Sequence, residues 1–128
     1  MKKVYTCFCT DIIHEGHLNI IKEAMKYGEV VVGVLADEAM IKFGRFPVRD
    51  VNERIEMVKK IDGIKQVIVQ DSIMYDKVIS DIQPDYVIHG DNWKTGYLKA
   101  VRDNVEKLLS AYGGKIIDVP YTYNENVK

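Results

Sequence analysis

The sequence predicts an α/β domain built on a five-stranded parallel sheet with helices on both faces. Three observations carry this. Short apolar runs alternate with segments of helical period along the chain. One run, Val30-Val31-Val32-Gly33-Val34-Leu35, is apolar throughout, which suits a strand covered on both sides. The residues with chemistry to offer cluster just after the apolar runs, where open parallel sheets bind ligands beyond the carboxyl ends of their strands.

The elements follow in order. Val4 to Cys9 reads as the first strand. Gly16 to Tyr27 reads as a helix with Leu18, Ile21, Ala24 and Met25 on one face, closed by Gly28. Glu29 to Ala36 is the second strand. Asp37 to Arg49 reads as a turn of helix followed by a mobile basic loop carrying Lys42, Gly44, Arg45, Pro47 and Arg49. Asp50, with Glu53 three residues on, has the form of a capping box opening a helix to about Lys60. Gln66 to Gln70 is the third strand, Tyr75 to Ile82 a short helix, and Tyr86 to His89 the fourth strand. Leu98 to Tyr112 is a longer helix with Leu98, Val101, Val105, Leu108 and Leu109 spaced for one buried face; Gly113-Gly114 stops it. Lys115 to Val119 is the fifth strand, closed by Pro120.

The bulk composition sets the class. The chain has 128 residues, 47% hydrophobic and 29% charged, which fits one globular domain over residues 1–128. That domain is also compatible with the N-terminal part of a longer chain. With 18 basic and 19 acidic residues the net charge is −1, and no basic tract or aromatic-basic platform points to nucleic acid. No apolar run approaches the roughly 18 residues of a membrane span, and Lys2-Lys3 leads into a strand rather than a signal peptide. A cytoplasmic location is expected.

The sharpest local feature is Thr10-Asp11-Ile12-Ile13-His14-Glu15-Gly16-His17, placed where the first strand gives way to the first helix. Side chains three apart on a helix share a face, so both imidazoles can enter one small space. A helix start also offers unpaired N–H groups and the positive end of a dipole, a good setting for phosphate. Gly16 lets backbone approach a ligand closely. Thr10 can offer a hydroxyl or N–H to that phosphate, and Asp11 is either a turn-and-cap residue or part of the site. Cys7 and Cys9 with the histidines spell C-x-C-x4-H-x2-H, which has zinc-ligand types. Two reduced, mostly buried thiols are the preferred account, and no metal ligand is assigned.

His14-Glu15-Gly16-His17, the later His89-Gly90-Asp91-Asn92-Trp93 and the order of elements together resemble the cytidylyltransferase family, over almost the whole chain. The family includes the glycerol-3-phosphate, phosphocholine and phosphoethanolamine enzymes. The nearest flavour is the cytidylyltransferase domain that accompanies phosphoenolpyruvate phosphomutase in phosphonate biosynthesis. The resemblance implies a Rossmann-like nucleotidyltransferase fold, a homodimer, and transfer of CMP from CTP, with Mg2+ or Mn2+, to a small phosphonate or phosphorylated alcohol. It implies that His14, His17 and Lys42 are catalytic. Cys9, Thr10, Asp11, Gly16, Gly90, Asp91, Trp93, Tyr121 and Thr122 fall to the nucleotide, with Asp91 facing the cytosine amine and the Trp93 indole covering a ring. Arg45 (as a substitute for Lys42), Arg54, Tyr75 and Lys77 fall to the substrates; a surface ion pair is the other reading of Arg54. Adenylyl transfer and a binding domain with weakened catalysis are the alternatives. Two departures stand out. Phe8-Cys9-Thr10-Asp11 lacks the family's early glycine, and Tyr121-Thr122 is not followed by the serine–threonine run of the last motif.

Overall fold

A computed structural model describes residues 2–9, 13–42, 44–94 and 96–120, without the side chains of residues 92 and 97. Five strands alternate with five α-helices: β1 (Lys3–Phe8), α1 (Glu15–Met25), β2 (Glu29–Leu35), α2 (Asp37–Lys42), α3 (Val51–Lys59), β3 (Ile64–Gln70), α4 (Asp76–Ile82), β4 (Tyr86–Gly90), α5 (Lys99–Ser110) and β5 (Lys115–Val119). Two short 3-10 turns, Asp91–Trp93 and Gly96–Leu98, join β4 to α5. The strand order is β3-β2-β1-β4-β5, and every neighbouring pair is parallel.

Alternation along the strands sorts the core into two layers, because successive strand side chains point to opposite faces. Val4 and Phe8 of β1, Val30, Val32 and Val34 of β2 and Ile88 of β4 pack with Ile21 and Ala24 of α1 and Val58 of α3. Tyr5, Val31 and Val87 pack on the other side with Val78 and Ile79 of α4 and Val101, Val105 and Leu109 of α5. Each fully buried aliphatic side chain contributes roughly 1.5–3 kcal/mol, so both layers matter. Helices cover both faces, as the sequence predicts. The run Val30 to Leu35 is buried at every position.

Gly33 has a specific reason to be glycine. A Cβ there would overlap the Tyr5 hydroxyl, which donates to Gln70 Oε1 at 2.6 Å in the interior. The pair therefore needs the empty space above β2.

The site is positioned by the middle of the sheet. The order reverses between β1 and β4, and their pairing spans only Val4↔Tyr86 and Tyr5↔Val87. The β1–β2 ladder, by contrast, runs over six pairs from Lys3↔Glu29 to Phe8↔Val34. Beyond Tyr5 and Val87 the β1–β4 pairing stops at the carboxyl ends of the two strands, the switch point whose crevice is where such sheets bind ligands.

Helix α1 departs from the predicted face. Ile21 and Ala24 are buried, but Leu18 is 41% and Met25 46% exposed. The inward stripe is His17, Ile20, Ile21 and Ala24, an i, i+3, i+4, i+7 set, with Ile20 packed against the first core layer. The helix is turned so that His17, rather than Leu18, leads the buried stripe. α1 also ends at Met25, two residues before the predicted Tyr27, and β3 begins at Ile64, two residues before the predicted Gln66. Asp50 caps α3 by accepting the Glu53 N–H at 2.9 Å. Among the described residues no helix is long and apolar enough to cross a membrane.

Candidate active site

His14 is the N-cap of α1, in extended backbone conformation. Its Nδ1 accepts the Gly16 N–H at 3.0 Å, while Nδ1 of His17 accepts the N–H of His14 at 3.1 Å. The two rings lie with centroids 4.0 Å apart, tilted by 46°, and the Phe8 ring meets His17 edge-on at 4.7 Å. An imidazole that accepts at Nδ1 carries its proton on Nε2. Both histidines are thus fixed as Nε2–H donors, and neither Nε2 bonds a described residue. Burial, then the neighbouring charges of His14 and Arg45, lower the His17 pKa to about 4. His17 is therefore neutral near pH 7.

The predicted supply of unpaired helix-start N–H groups needs correcting. Gly16 N–H is taken by His14 Nδ1, and the N–H groups of His17 and Leu18 go to the His14 carbonyl at 3.0 and 3.3 Å. Side-chain Nε2–H groups, not these three amides, are what the helix start presents.

The basic loop supplies a cation. Arg45 Nη1 donates to Cys9 Sγ at 3.8 Å, just past the end of β1, and its charge reaches His17. Lys42, the residue expected to act, is exposed in the last turn of α2. Of the two cations, Arg45 is the one that contacts the end of β1, through Cys9. α2 ends at Lys42, and Gly44 takes a φ of +90°, a conformation that favours glycine.

Across the crevice, Gly90 closes β4 and Asp91 opens the 3-10 turn that ends at Trp93. Trp93 is 1% exposed. Its indole lies flat on the His89 ring, with centroids 4.1 Å apart and planes 9° apart. Its Nε1 donates to Asp118 Oδ1 at 2.7 Å. The indole does cover a ring, but that ring is the protein's own imidazole, and the side chain belongs to the second core layer. His89 Nδ1 lies 2.7 Å from the Gly90 carbonyl, so it donates there. Burial lowers the His89 pKa, against the opposing pulls of that bond and of Asp118.

Tyr75, the N-cap of α4, is 3% exposed and packs against Tyr5 and Trp93. Burial, then the nearby Cys7, raises its pKa. Lys77 is 79% exposed and faces Asp71 at 3.7 Å. Arg54 is the largest surprise. It is 1% exposed rather than a surface ion pair, and it bonds Arg49 and Leu35 carbonyls and Asp37. Thr10, Asp11, Tyr121 and Thr122 lie outside the described residues. Cys7 and Cys9 are both free thiols of intermediate burial, and among the described residues no group of three or more His, Cys, Asp or Glu is placed to hold a metal.

The family model described as cytidylyltransferase-like matches residues 5–126. The chain belongs to that family. Its relatives include the bifunctional protein HldE of Desulfatibacillum aliphaticivorans, 30% identical over 93% of this chain and 24% of that protein. The ethanolamine-phosphate cytidylyltransferase of Arabidopsis thaliana is 36% identical over 70% of this chain and 23% of its own length. The FAD synthase of Methanohalobium evestigatum is 31% identical over 80% of this chain and 65% of its own. The chain thus spans about a quarter of the first two and under two thirds of the third. In fold, it matches the solved lipopolysaccharide core biosynthesis protein of Thermoplasma volcanium with a TM-score of 0.77 at 23% identity, covering 98% and 99% of the two chains.

Within this cytidylyltransferase-like frame, the structure adds residues that the sequence reading missed. Asp118 of β5 gathers Trp93 Nε1, two bonds from Arg102 at 3.2 and 2.8 Å, and Lys94 at 3.8 Å. Burial pushes its pKa up, but the bonds from Arg102 and Trp93 outweigh this and hold it below the usual carboxylate value. A lone acid inside the apolar strand Ile116-Ile117-Asp118-Val119 was the available signal. Asp37, at the start of α2, gave no such signal.

Proposed function

We propose that this chain transfers CMP from CTP to a small phosphonate or phosphorylated alcohol and releases pyrophosphate. The reading is carried by one observation: two histidines locked as Nε2–H donors at a helix start, beside Arg45, at the mouth of the β1/β4 crevice. Membership of the cytidylyltransferase-like family and the likeness to an ethanolamine-phosphate cytidylyltransferase support it.

In this mechanism an oxygen of the acceptor's phosphate or phosphonate attacks the α-phosphorus of CTP. The bond from that phosphorus to the bridging oxygen breaks, and pyrophosphate leaves with its electron pair. The acceptor is already anionic near neutral pH, so no strong base is required. Charge builds on the phosphoryl oxygens, and preorganised donors aimed there lower the barrier. His14 and His17 donate from Nε2, and neither has to lose a proton. Arg45 adds a permanent charge with a planar set of donors suited to phosphate. Mg2+ or Mn2+, which prefers oxygen ligands, fits as an ion carried on the triphosphate; when bound it neutralises charge on those oxygens. Asp91 takes the exocyclic amine of the base, and Gly90 allows close approach. Trp93 supports this segment from below through Asp118 rather than stacking on the base. A homodimer working in the cytoplasm completes the proposal.

A second reading, adenylyl transfer, is favoured by the FAD synthases among the relatives, whose named product contains adenine. Pyrophosphate release measured with CTP or ATP, Mg2+ and a panel of phosphonates and phosphorylated alcohols separates the two. Turnover with CTP and one acceptor supports the leading reading, and turnover with ATP alone replaces it. Nucleotide binding without turnover would make the chain a binding domain.

A further inference from the structure

The last of the three histidines, His89, is fixed in the opposite sense to the other two. Its Nδ1 lies 2.7 Å from the Gly90 carbonyl. A carbonyl only accepts, so Nδ1 carries the proton and, in the neutral ring, Nε2 keeps its lone pair. Burial favours that neutral ring. His14 and His17 present N–H donors at Nε2, whereas His89 presents an acceptor.

The plane of the ring is fixed as firmly as its tautomer. The Trp93 indole lies flat against it at 4.1 Å. Trp93 is held in turn by its Nε1 bond to Asp118 at 2.7 Å, and Asp118 by Arg102 at 2.8 Å. Such a supporting shell is what aims a side chain at a ligand. Nε2 itself bonds no described residue. Among the described residues the one buried side-chain nitrogen or oxygen without a partner is Asn104 Oδ1. Nε2 is therefore open rather than sealed in the core.

His89 stands two residues past Val87, the last β4 residue paired with β1, at the switch point where open sheets bind ligands. Its partner Trp93 belongs to the core layer of α4 and α5. His17 meets Phe8 of the opposite layer, which packs under α1. The histidines thus bracket this end of the sheet from its two faces, donors on one and the acceptor on the other. Phosphate oxygens only accept, so they suit the donors; a lone pair needs an N–H or O–H. In the proposed transfer the entering oxygen and the leaving pyrophosphate lie in line across the α-phosphorus. With the triphosphate on the α1 donors, the acceptor enters from the other side, where His89 stands. We infer that His89 is a specificity-determining residue whose Nε2 accepts a hydrogen bond from a hydroxyl or ammonium group of the small acceptor. This rests on the proposed nucleotidyl transfer and narrows its acceptor to a phosphonate or phosphate ester that also bears such a donor.

The test pairs 2-aminoethylphosphonate and 2-hydroxyethylphosphonate with propylphosphonate, and glycerol 3-phosphate with propyl phosphate; the second member of each pair lacks the donor. Imidazole 15N NMR of the wild type, with the α,β-methylene analogue of CTP or of ATP and Mg2+, needs no turnover. The His89 Nε2 signal is expected at the position of an unprotonated nitrogen, and to move upfield with a donor-bearing probe but not with its match. Binding is read separately from the fluorescence of Trp93, the single tryptophan, which stacks on His89. The Kd ratio within the better pair is expected to be about tenfold or more in the wild type. It should fall towards one in His89→Asn, which keeps a donor for the Gly90 carbonyl but has nothing at Nε2. His89→Gln, which places an amide oxygen there, should recover most of it.

An Nε2 signal unmoved by a bound donor-bearing probe overturns the inference. So does a signal moved by the nucleotide analogue alone, which would give the donor to the nucleotide. A Kd ratio that survives in folded His89→Asn, or failure of every probe to bind, overturns it as well. If the wild type releases pyrophosphate from no nucleotide, the proposed function falls, while the NMR and binding arms still decide what His89 accepts.

Discussion

His14 and His17 satisfy each other's helix end: one ring takes the Gly16 N–H, and the other ring takes the His14 N–H, both through Nδ1. Each bond needs an unprotonated Nδ1, so the cap and the charge state are the same variable. The folded-state pKa of His17, about 4, lies below its ordinary 6.5. The neutral form is therefore the one folding favours. Its contribution to stability is complete above about pH 6.5 and is lost as the pH falls from there toward 4. Thermal melts from pH 7.5 to pH 4 should show a falling midpoint, with a shallower dependence in His17→Asn. A His17 imidazole that titrates at 6.5 or above by NMR would contradict the structure.

Substitutions at His17 should separate capping from donation. Asparagine can place an acceptor near Nδ1 but has no donor where Nε2 stands; alanine has neither. Losing a side-chain acceptor for a backbone N–H costs about 0.5–1.5 kcal/mol of stability, and losing a transition-state donor about 2.7–4 kcal/mol of barrier, or 10²–10³ in rate. His17→Asn is expected to melt close to the wild type yet lose that rate, and His17→Ala to lose both. Stopped-time pyrophosphate assays beside denaturant titrations measure the two effects.

The two loop cations should differ. Arg45 meets Cys9 at the end of β1 and its charge acts on His17, and a hydrogen bond to a charged group is worth about 1.5–3 kcal/mol. Arg45→Ala should therefore lower kcat/KM by roughly ten- to a hundredfold. Lys42 is exposed at the end of α2, and surface changes of that kind fall within about 0.5 kcal/mol, so Lys42→Ala should stay within roughly threefold of the wild type. Steady-state kinetics on both variants decides the ranking.

Trp93→Phe keeps an aromatic face against His89 but removes the donor to Asp118. Arg102 still pairs with that carboxylate, so the expected loss is modest, about 1–2 kcal/mol, read as a lower urea midpoint at unchanged slope. Asp118→Ala should cost more, because it leaves both the indole N–H and Arg102 without their shared partner.

Much of this fold was legible because apolar runs and helical periods are local properties. The five strands, the Asp50 cap and the Gly113 stop each depend on a few adjacent residues. The histidine pair was legible too, since its meaning lies in a three-residue spacing at a strand-to-helix junction. What could not be read was anything set by distant partners. Arg54 looks like any surface arginine until Leu35, Asp37 and Arg49 close around it. Trp93 looks like a base-stacking platform until His89 and Asp118 claim it. Arg45 reaches Cys9 while Lys42 stays exposed, a difference set by how the chain folds after α2. Even the face of α1 turned on tertiary context, with His17 displacing Leu18 from the interior.

The narrow join between β1 and β4 has a consequence for how such a protein changes over time. Two residue pairs of the β1–β4 ladder connect a half built from β1, β2 and β3 to a half built from β4 and β5, while the ladders inside each half are long. Through the backbone ladder the two halves share few rungs, so what couples them is the side-chain packing of the two core layers. Under the proposed nucleotidyl transfer, a lineage can keep its histidine half constant and retune the Gly90–Trp93 half for a new compound by repacking those layers. Sheets joined in this way are suited to swapping reactants without rebuilding the chemistry.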